Sequence, residues 1–423
     1  MSTSTAYWFA PSPSELTSTR LSLDFGVRSA DLAFRELVVP GLGRVWFVRQ
    51  LSWPVAALAL HAELRRKGKN APRPSAICHG IEALACKLQF RADPDSDRVL
   101  GKRAFGRDEL DEVWDFARLH RRAYYVQNTH RQASTRTLRT DLGLGLAEGP
   151  RFDLLALESV GTALAQTFLG QRVGQGGGSL ERWLLGWVMG EAALPRSPRS
   201  LTEALTPAKP SREERQLVRA RVLETVGPAA EKRRRLADAL GRAAERPDIE
   251  RETVPRLRAA GHVEQADQIL AALAFGALLD RSREALGHMT LVVEGARRGV
   301  AAGVLAGEPA VRRALRALQT AAKSSAATAE TACVSFPASR ALVDEILRAD
   351  DAGLVRVLVA RSSGLLAHAE ATVARGPLFR VLAEGQPLTE DEAAEAEPDG
   401  TGRTFRIANL HALVRDFGTR GES

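Results

Sequence analysis

The sequence predicts a mainly α fold: an N-terminal, mostly helical domain with a few short strands, then a C-terminal helical bundle. Three observations lead there. Ala, Leu, Arg and Glu dominate, while only 3 Tyr and 14 Phe occur among 423 residues, a balance that favours helix over sheet. From residue 211 to about 376, apolar residues recur at helical spacing almost throughout. All 6 Trp and most turn signals fall before residue 195. With 44% apolar and 26% charged residues, the chain has the make-up of a folded protein long enough for two or three domains.

The elements follow in order. LSLDFGV (21–27) and RVWFVRQL (44–51) have strand-like content. Between them a helix is stopped by Pro40-Gly41. SWPVAALALHAELRRK (52–67) reads as a helix with Pro54 in its first turn. RDELDEVWDFARLHRRAYYVQ (107–127) reads as another, acids early and bases late, as the helix dipole prefers. GQRVGQGGGSLERW (170–183) lacks the Gly-Lys-Ser/Thr of a phosphate loop, so it is read as a loop with Ser179 capping a helix. PRSPRSLTEALTPAKPSREE (195–214) has the composition of a connection, which sets domains at 1–195 and 213–385 around a linker at 196–212.

Ser211 and Glu214 have capping-box spacing ahead of Leu217, Val218, Val222 and Val226. Gly227-Pro228 ends that helix, and a second runs from about Ala229 to Glu245. Residues 262–299 form one long helix, or two joined at Gly287. Further helices are expected at 308–332, 337–348 and 351–374, the last capped by Asp350 or Asp351. A closing acidic segment, 386–423, holds a turn, a short strand and a helix.

Charge carries the functional reading. The net charge is +8, which suits a polyanionic partner. It concentrates mid-chain: residues 61–150 hold 17 Lys and Arg against 12 acids, and 211–260 hold 13 against 9, whereas 341–423 hold 9 against 14. The densest run, RRAYYVQNTHRQASTRTLR (121–139), has five arginines and no acid. Arginine forks match phosphate oxygens, and a tyrosine offers a face to an unpaired base. The candidate nucleic-acid contacts are therefore Arg118, Arg121, Arg122, Tyr124, Tyr125, Arg131, Arg136 and Arg139, with Lys232, Arg233, Arg234 and Arg235 as a second site. Adjacent helical tyrosines point about 100° apart, so at most one would face a given ligand. The competing reading is a solvated face whose arginine stems cover apolar surface.

Catalytic and metal motifs are not found. Cys78, Cys86 and Cys333 form no metal-ligand pattern, and His79 beside Cys78 lacks a fourth ligand in sequence. Neither HExxH nor GxSxG is present. DPDSD (93–97), DELDEVWD (108–115), His120 and His130 leave a nuclease with an unfamiliar site as an alternative. No cofactor or metal is expected. The first residues lack a secretory pattern, and LAALAFGALL (270–279) is too short to span a bilayer. With an odd count of cysteines, a cytoplasmic setting is expected.

Residues 26–55, GVRSADLAFRELVVPGLGRVWFVRQLSWPV, resemble the opening of a largely helical bacterial family of unknown function encoded beside anti-phage defence genes. The matching features are Gly26, Arg28 or Arg35, Pro40-Gly41, Arg49 and Trp53-Pro54; QADQILAALAFGALLDRSREAL (265–286) is similar to its later helices. Ser29 replaces the family's aspartate, and Leu42-Gly43 its Thr-rich turn. The resemblance implies an accessory subunit of a multi-gene system acting on foreign DNA. Two function classes follow: a non-catalytic nucleic-acid-binding subunit, or an adaptor that assembles other proteins.

Overall fold

The structure, a computed structural model, describes residues 24–105, 113–121, 124–126, 129–173, 177–194, 198–241, 248–296, 298–369, 372–377, 379 and 404–418. It is mainly α-helical. Two compact units emerge: Ala30–Gly276 with Ser325–Phe336 and Thr389–Ser423, and a smaller one of Met1–Ser29, Ala277–Ser324 and Pro337–Leu388.

The larger unit opens with α1 (Arg28–Val38), α2 (Arg49–Arg66) and α3 (Pro74–Ala92). The strand expected at 44–51 is instead a turn leading into α2. Gln50 Oε1 accepts the Trp46 and Phe47 N–H groups (2.7 and 3.3 Å), which closes the chain on itself and removes those donors from any ladder. Residues 24–27 of the other expected strand form a turn, and 21–23 lie outside the described residues. α2 is buried on nearly all sides, as befits a central helix with little amphipathic bias. It packs along α3.

Two short helices follow, α4 (Lys102–Phe105) and α5 (Phe116–Leu119), then α6 (His130–Leu138). The helix expected over 107–127 is not continuous: of its described part only α5 is helical, capped by Asp115. Lys87 Nζ takes the Val113 carbonyl (2.7 Å) and Trp187 Nε1 takes that of Trp114 (2.8 Å). Both carbonyls lie in the non-helical stretch before α5. The pairs β1 (Ala147–Glu148) with β2 (Ala156–Leu157), and β3 (Arg172–Val173) with β4 (Gly178–Ser179), flank α7 (Ser159–Leu169). α8 (Leu180–Val188) is capped by Ser179, as its sequence predicts. α9 (Arg199–Leu205) lies within the expected linker, and its Leu201, Ala204 and Leu205 are buried. The division into units therefore does not fall at 196–212.

α10 (Arg212–Arg219) carries the full capping box of Ser211 and Glu214 and runs into a π-turn at Ala220–Glu224. α11 (Pro228–Leu240) and α12 (Val254–Ala259) complete the approach to α13 (Val263–Gly295), which is unbroken at Gly287. The core of this unit gathers Phe47, Trp53, Phe168, Trp187, Phe275 and Phe405.

In the smaller unit β5 (Val300–Ala301) precedes α14 (Ala302–Gly307) and α15 (Pro309–Thr331), which like α13 contributes to both units. α16 (Pro337–Arg348) and α17 (Asp351–Ala360) follow, the latter capped by Asp350. The expected helix over 351–374 ends at Ala360, because Ser363 and Gly364 take positive φ and turn the chain. Residues 366–375 form the antiparallel hairpin β6 (Leu366–Ala369) and β7 (Thr372–Arg375), with β5 on the other edge of β7. α18 (Ile407–Asp416) belongs to the larger unit; Phe405 and Arg406 before it have positive φ, in place of the expected strand.

Candidate nucleic-acid interface

The basic run owes its local shape to two devices. Thr129 and Gln132 form a reciprocal capping box at the start of α6. The buried Glu82 carboxylate then accepts the His130 and Arg131 N–H groups (2.6 and 3.0 Å). Burial is the first cause raising Glu82 to about 7, against the lowering effect of those hydrogen bonds. His130, also buried, is lowered to about 4. Gln50 Nε2 lies 2.9 Å from His130 Nδ1, and the Arg98 carbonyl 3.3 Å from Nε2. Since Gln50 Oε1 already accepts two amides, its Nε2 donates to Nδ1. The neutral ring then carries its proton on Nε2.

The twelve candidate residues meet different fates. Arg118, Arg121 and Arg234 are exposed, Arg118 lying 3.7 Å from Asp115. Arg122 lies outside the described residues. Tyr124 is half-buried. Tyr125 is buried, its ring stacked on Phe105 and its hydroxyl donating to Cys86 Sγ (3.2 Å). It cannot offer a face to a base. Arg131 sits over the Phe152 ring, and Arg139 holds Asp141 through two hydrogen bonds. Lys232 reaches Gln268, and Arg235 pairs with Glu231. Arg233 is buried and donates to the Val222 and Pro40 carbonyls (both 2.7 Å).

The fold nevertheless brings two members of the separate runs together. Arg136 reaches Glu36 (3.5 Å), beside the Pro40-Gly41 turn that Arg233 holds. Buried Arg406 also pairs with Glu36, whose other oxygen accepts the Gly41 N–H (2.8 Å). The turn is pressed against α6: Gly43 has φ of +60°, and a Cβ there would collide with Thr137 Oγ1. Arg35, paired with Asp31, acts as a like charge on Arg406, as does Arg136. Arg221 acts likewise on Arg233, which burial above all lowers to about 10. Arg136 and Arg406 thus share Glu36, which also acts on Arg233, while Arg35 holds Asp31 and Arg221 acts on Arg233. Arg136 is their route to solvent, its side chain 39% exposed.

Low-dielectric walls and clustered cations raise the potential at such a spot, which favours a phosphate or carboxylate. Of the members, Arg221 and Arg406 have no counterpart in the sequence reading, and Arg35 enters it only through the family resemblance. They lie far apart in the chain, Arg406 within an acidic segment, so no local signal marks them.

Burial pushes Cys86 up to about 12 and Cys78 well above the ordinary thiol range, which makes both thiols inert. Among the described residues, no group of three His, Cys, Asp or Glu stands ready for a metal ion, and no helix is long and apolar enough to cross a membrane. No family model, no curated protein and no solved structure matches this chain.

Proposed function

We propose that this chain is a non-catalytic nucleic-acid-binding subunit of a multi-component bacterial defence system, acting in the cytoplasm. The observation that carries the reading is the sharing of Glu36 by Arg136 and buried Arg406, with Arg233 and Arg35 close enough to act on the same groups and Arg136 open to solvent. A backbone phosphate would sit at Arg136, where the buried Arg233 and Arg406 add attraction without reaching the ligand. Arg118, Arg121 and Arg234 supply further exposed charge along the polyanion. The defence setting rests on the resemblance of residues 26–55 and 265–286. The chemistry would belong to another subunit.

The test is fluorescence anisotropy of labelled single- and double-stranded DNA and RNA across a salt series. Log affinity should fall linearly with log salt, and Arg136→Gln should weaken binding at low salt while the fold is retained. Absence of salt-sensitive binding refutes the reading. An adaptor is the second reading, favoured by Val226, which is 99% exposed in the larger unit, and by the many arginine heads already engaged internally. It expects stable co-purification with a protein partner and no salt-sensitive nucleic-acid binding.

A further inference from the structure

A cleft of about 340 Å³ in the larger unit is lined by Trp46, Asp97, Arg98, Arg215, Ala412, Arg415, Asp416 and Gly418. Four separate chain segments build it: the turn before α2, the loop after α3, the start of α10 and the end of α18. Its charges are not self-cancelling. Asp416 is engaged on both oxygens, one accepting from Arg98 (2.7 Å) and the other from the Val48 N–H (2.8 Å). Arg98 also donates to the Pro207 carbonyl (2.8 Å). Behind the wall, Arg49 is offset by Glu214.

The lining also holds Arg215, Arg415 and the carboxylate of Asp97. Neither arginine has an ion-pair partner among the described residues, and Arg215 Nε is buried without a hydrogen bond. Arg215 from α10 and Arg415 from α18 both line the cleft, and their guanidinium groups carry forked donors of the kind that phosphate oxygens accept. Trp46 supplies the one large aromatic surface in the lining. Its indole is half-buried, held edge-on by Phe47 and with the Arg98 guanidinium 5.8 Å from the ring centre. A fixed ring of this kind is a ready stacking partner for a base. The volume lies at the small end of ligand pockets, about 300–1,000 Å³, which suits one nucleotide and not a longer segment.

We infer that this cleft is a mononucleotide site, the phosphate held by Arg215 and Arg415 and the base against Trp46. The nucleotide is either free or the 5′-phosphorylated end of a strand. This site is separate from the Arg136 cluster and stands if backbone binding there fails.

The test is calorimetric and fluorescence titration of the full chain with AMP, adenosine and inorganic phosphate, at low salt. AMP should bind at least tenfold more tightly than adenosine or phosphate alone, since each of these lacks either the anion or the ring. Arg415→Gln and Arg215→Gln should each weaken AMP roughly tenfold or more; Arg415 is exposed, so its replacement leaves the fold intact. Trp46→Phe should abolish the AMP-induced change in tryptophan emission, and Arg136→Gln should leave AMP binding unaltered. A 5′-phosphorylated oligonucleotide that displaces AMP, where its 5′-hydroxyl twin does not, assigns a strand end. Failure of both to displace AMP assigns the free nucleotide. The inference is overturned if AMP does not bind at millimolar concentration, binds no better than adenosine or phosphate, or is indifferent to both arginine substitutions.

Discussion

Glu214→Gln should be among the most destabilising single-atom changes available in this protein. Arg49 and Glu214 are both 0% exposed, with Arg49 Nη2 3.3 Å from Glu214 Oε2. At that separation, an effective dielectric of about 20 gives an attraction of roughly 5 kcal/mol. Most of the pair's polar atoms are also hydrogen-bonded, Arg49 Nε excepted. Glu214 accepts from Ser52 Oγ (2.6 Å) and the Ser211 N–H (2.8 Å). Arg49 Nη1 donates to the carbonyls of Ala204 and Thr206. Removing the negative charge strands a buried guanidinium, which costs about 3–5 kcal/mol. Ser52→Ala, which deletes one hydrogen bond and no charge, should cost only about 1–3 kcal/mol. The double variant Arg49→Met with Glu214→Gln should recover part of the loss but not all, because the carbonyls of Glu203, Ala204 and Thr206 then lose their donor. Five of the six tryptophans belong to the larger unit, so urea unfolding followed by tryptophan fluorescence reads the relevant transition. A shift below about 1 kcal/mol for Glu214→Gln would refute the claim that this pair is a dry ionic tie.

Arg118→Glu with Arg121→Glu should make the salt dependence of DNA binding shallower, by about one in slope for each phosphate that is no longer neutralised, measured by anisotropy; an unchanged slope removes those residues from the interface. Native protein should titrate one thiol, the exposed Cys333, with an aromatic disulfide reagent, and three after unfolding; rapid labelling of Cys78 or Cys86 would contradict their burial. Glu82 has a folded pKa raised to about 7 from 4.5, so its stabilising contribution is complete below 4.5 and is lost as pH rises through 7. His130 has the opposite sign: lowered to about 4 from 6.5, its contribution is present above 6.5 and is lost as pH falls through 4. Comparison with Glu82→Gln isolates the first effect. Urea midpoints between pH 5 and 8 should move in favour of the Gln variant as pH rises, and a pH-independent difference would show that Glu82 is not held as an acid.

The parts of this fold that are legible in the sequence are those whose cause is local. Ser211 with Glu214, Asp350 and Ser179 each name a helix start within three residues of the atoms they cap, and Pro40-Gly41 names a stop. The turn at Ser362-Ser363-Gly364 is equally readable, but the apolar periodicity on either side masks it. The break in 107–127 is of another kind. Nothing in VWDFARL forbids a helix, yet 113–115 are not helical, and there Lys87 and Trp187, distant in the chain, bond the Val113 and Trp114 carbonyls. The candidate site divides in the same way. Local density of arginine in 121–139 is a property of the sequence, and the pairing of Arg139 with Asp141, two residues on, lies within its reach. Which heads stay free is decided by distant partners: Phe152 under Arg131, Glu36 beside Arg136, and Arg406 meeting that same Glu36 across 370 residues of chain. The consequence for anion binding is specific. A single exposed arginine gains little in water, but one backed by buried cations draws on a field that salt screens less. Arg136 has that backing and Arg121 sits on open surface, so binding that persists at elevated salt should depend on Arg136 and not on the denser run around it.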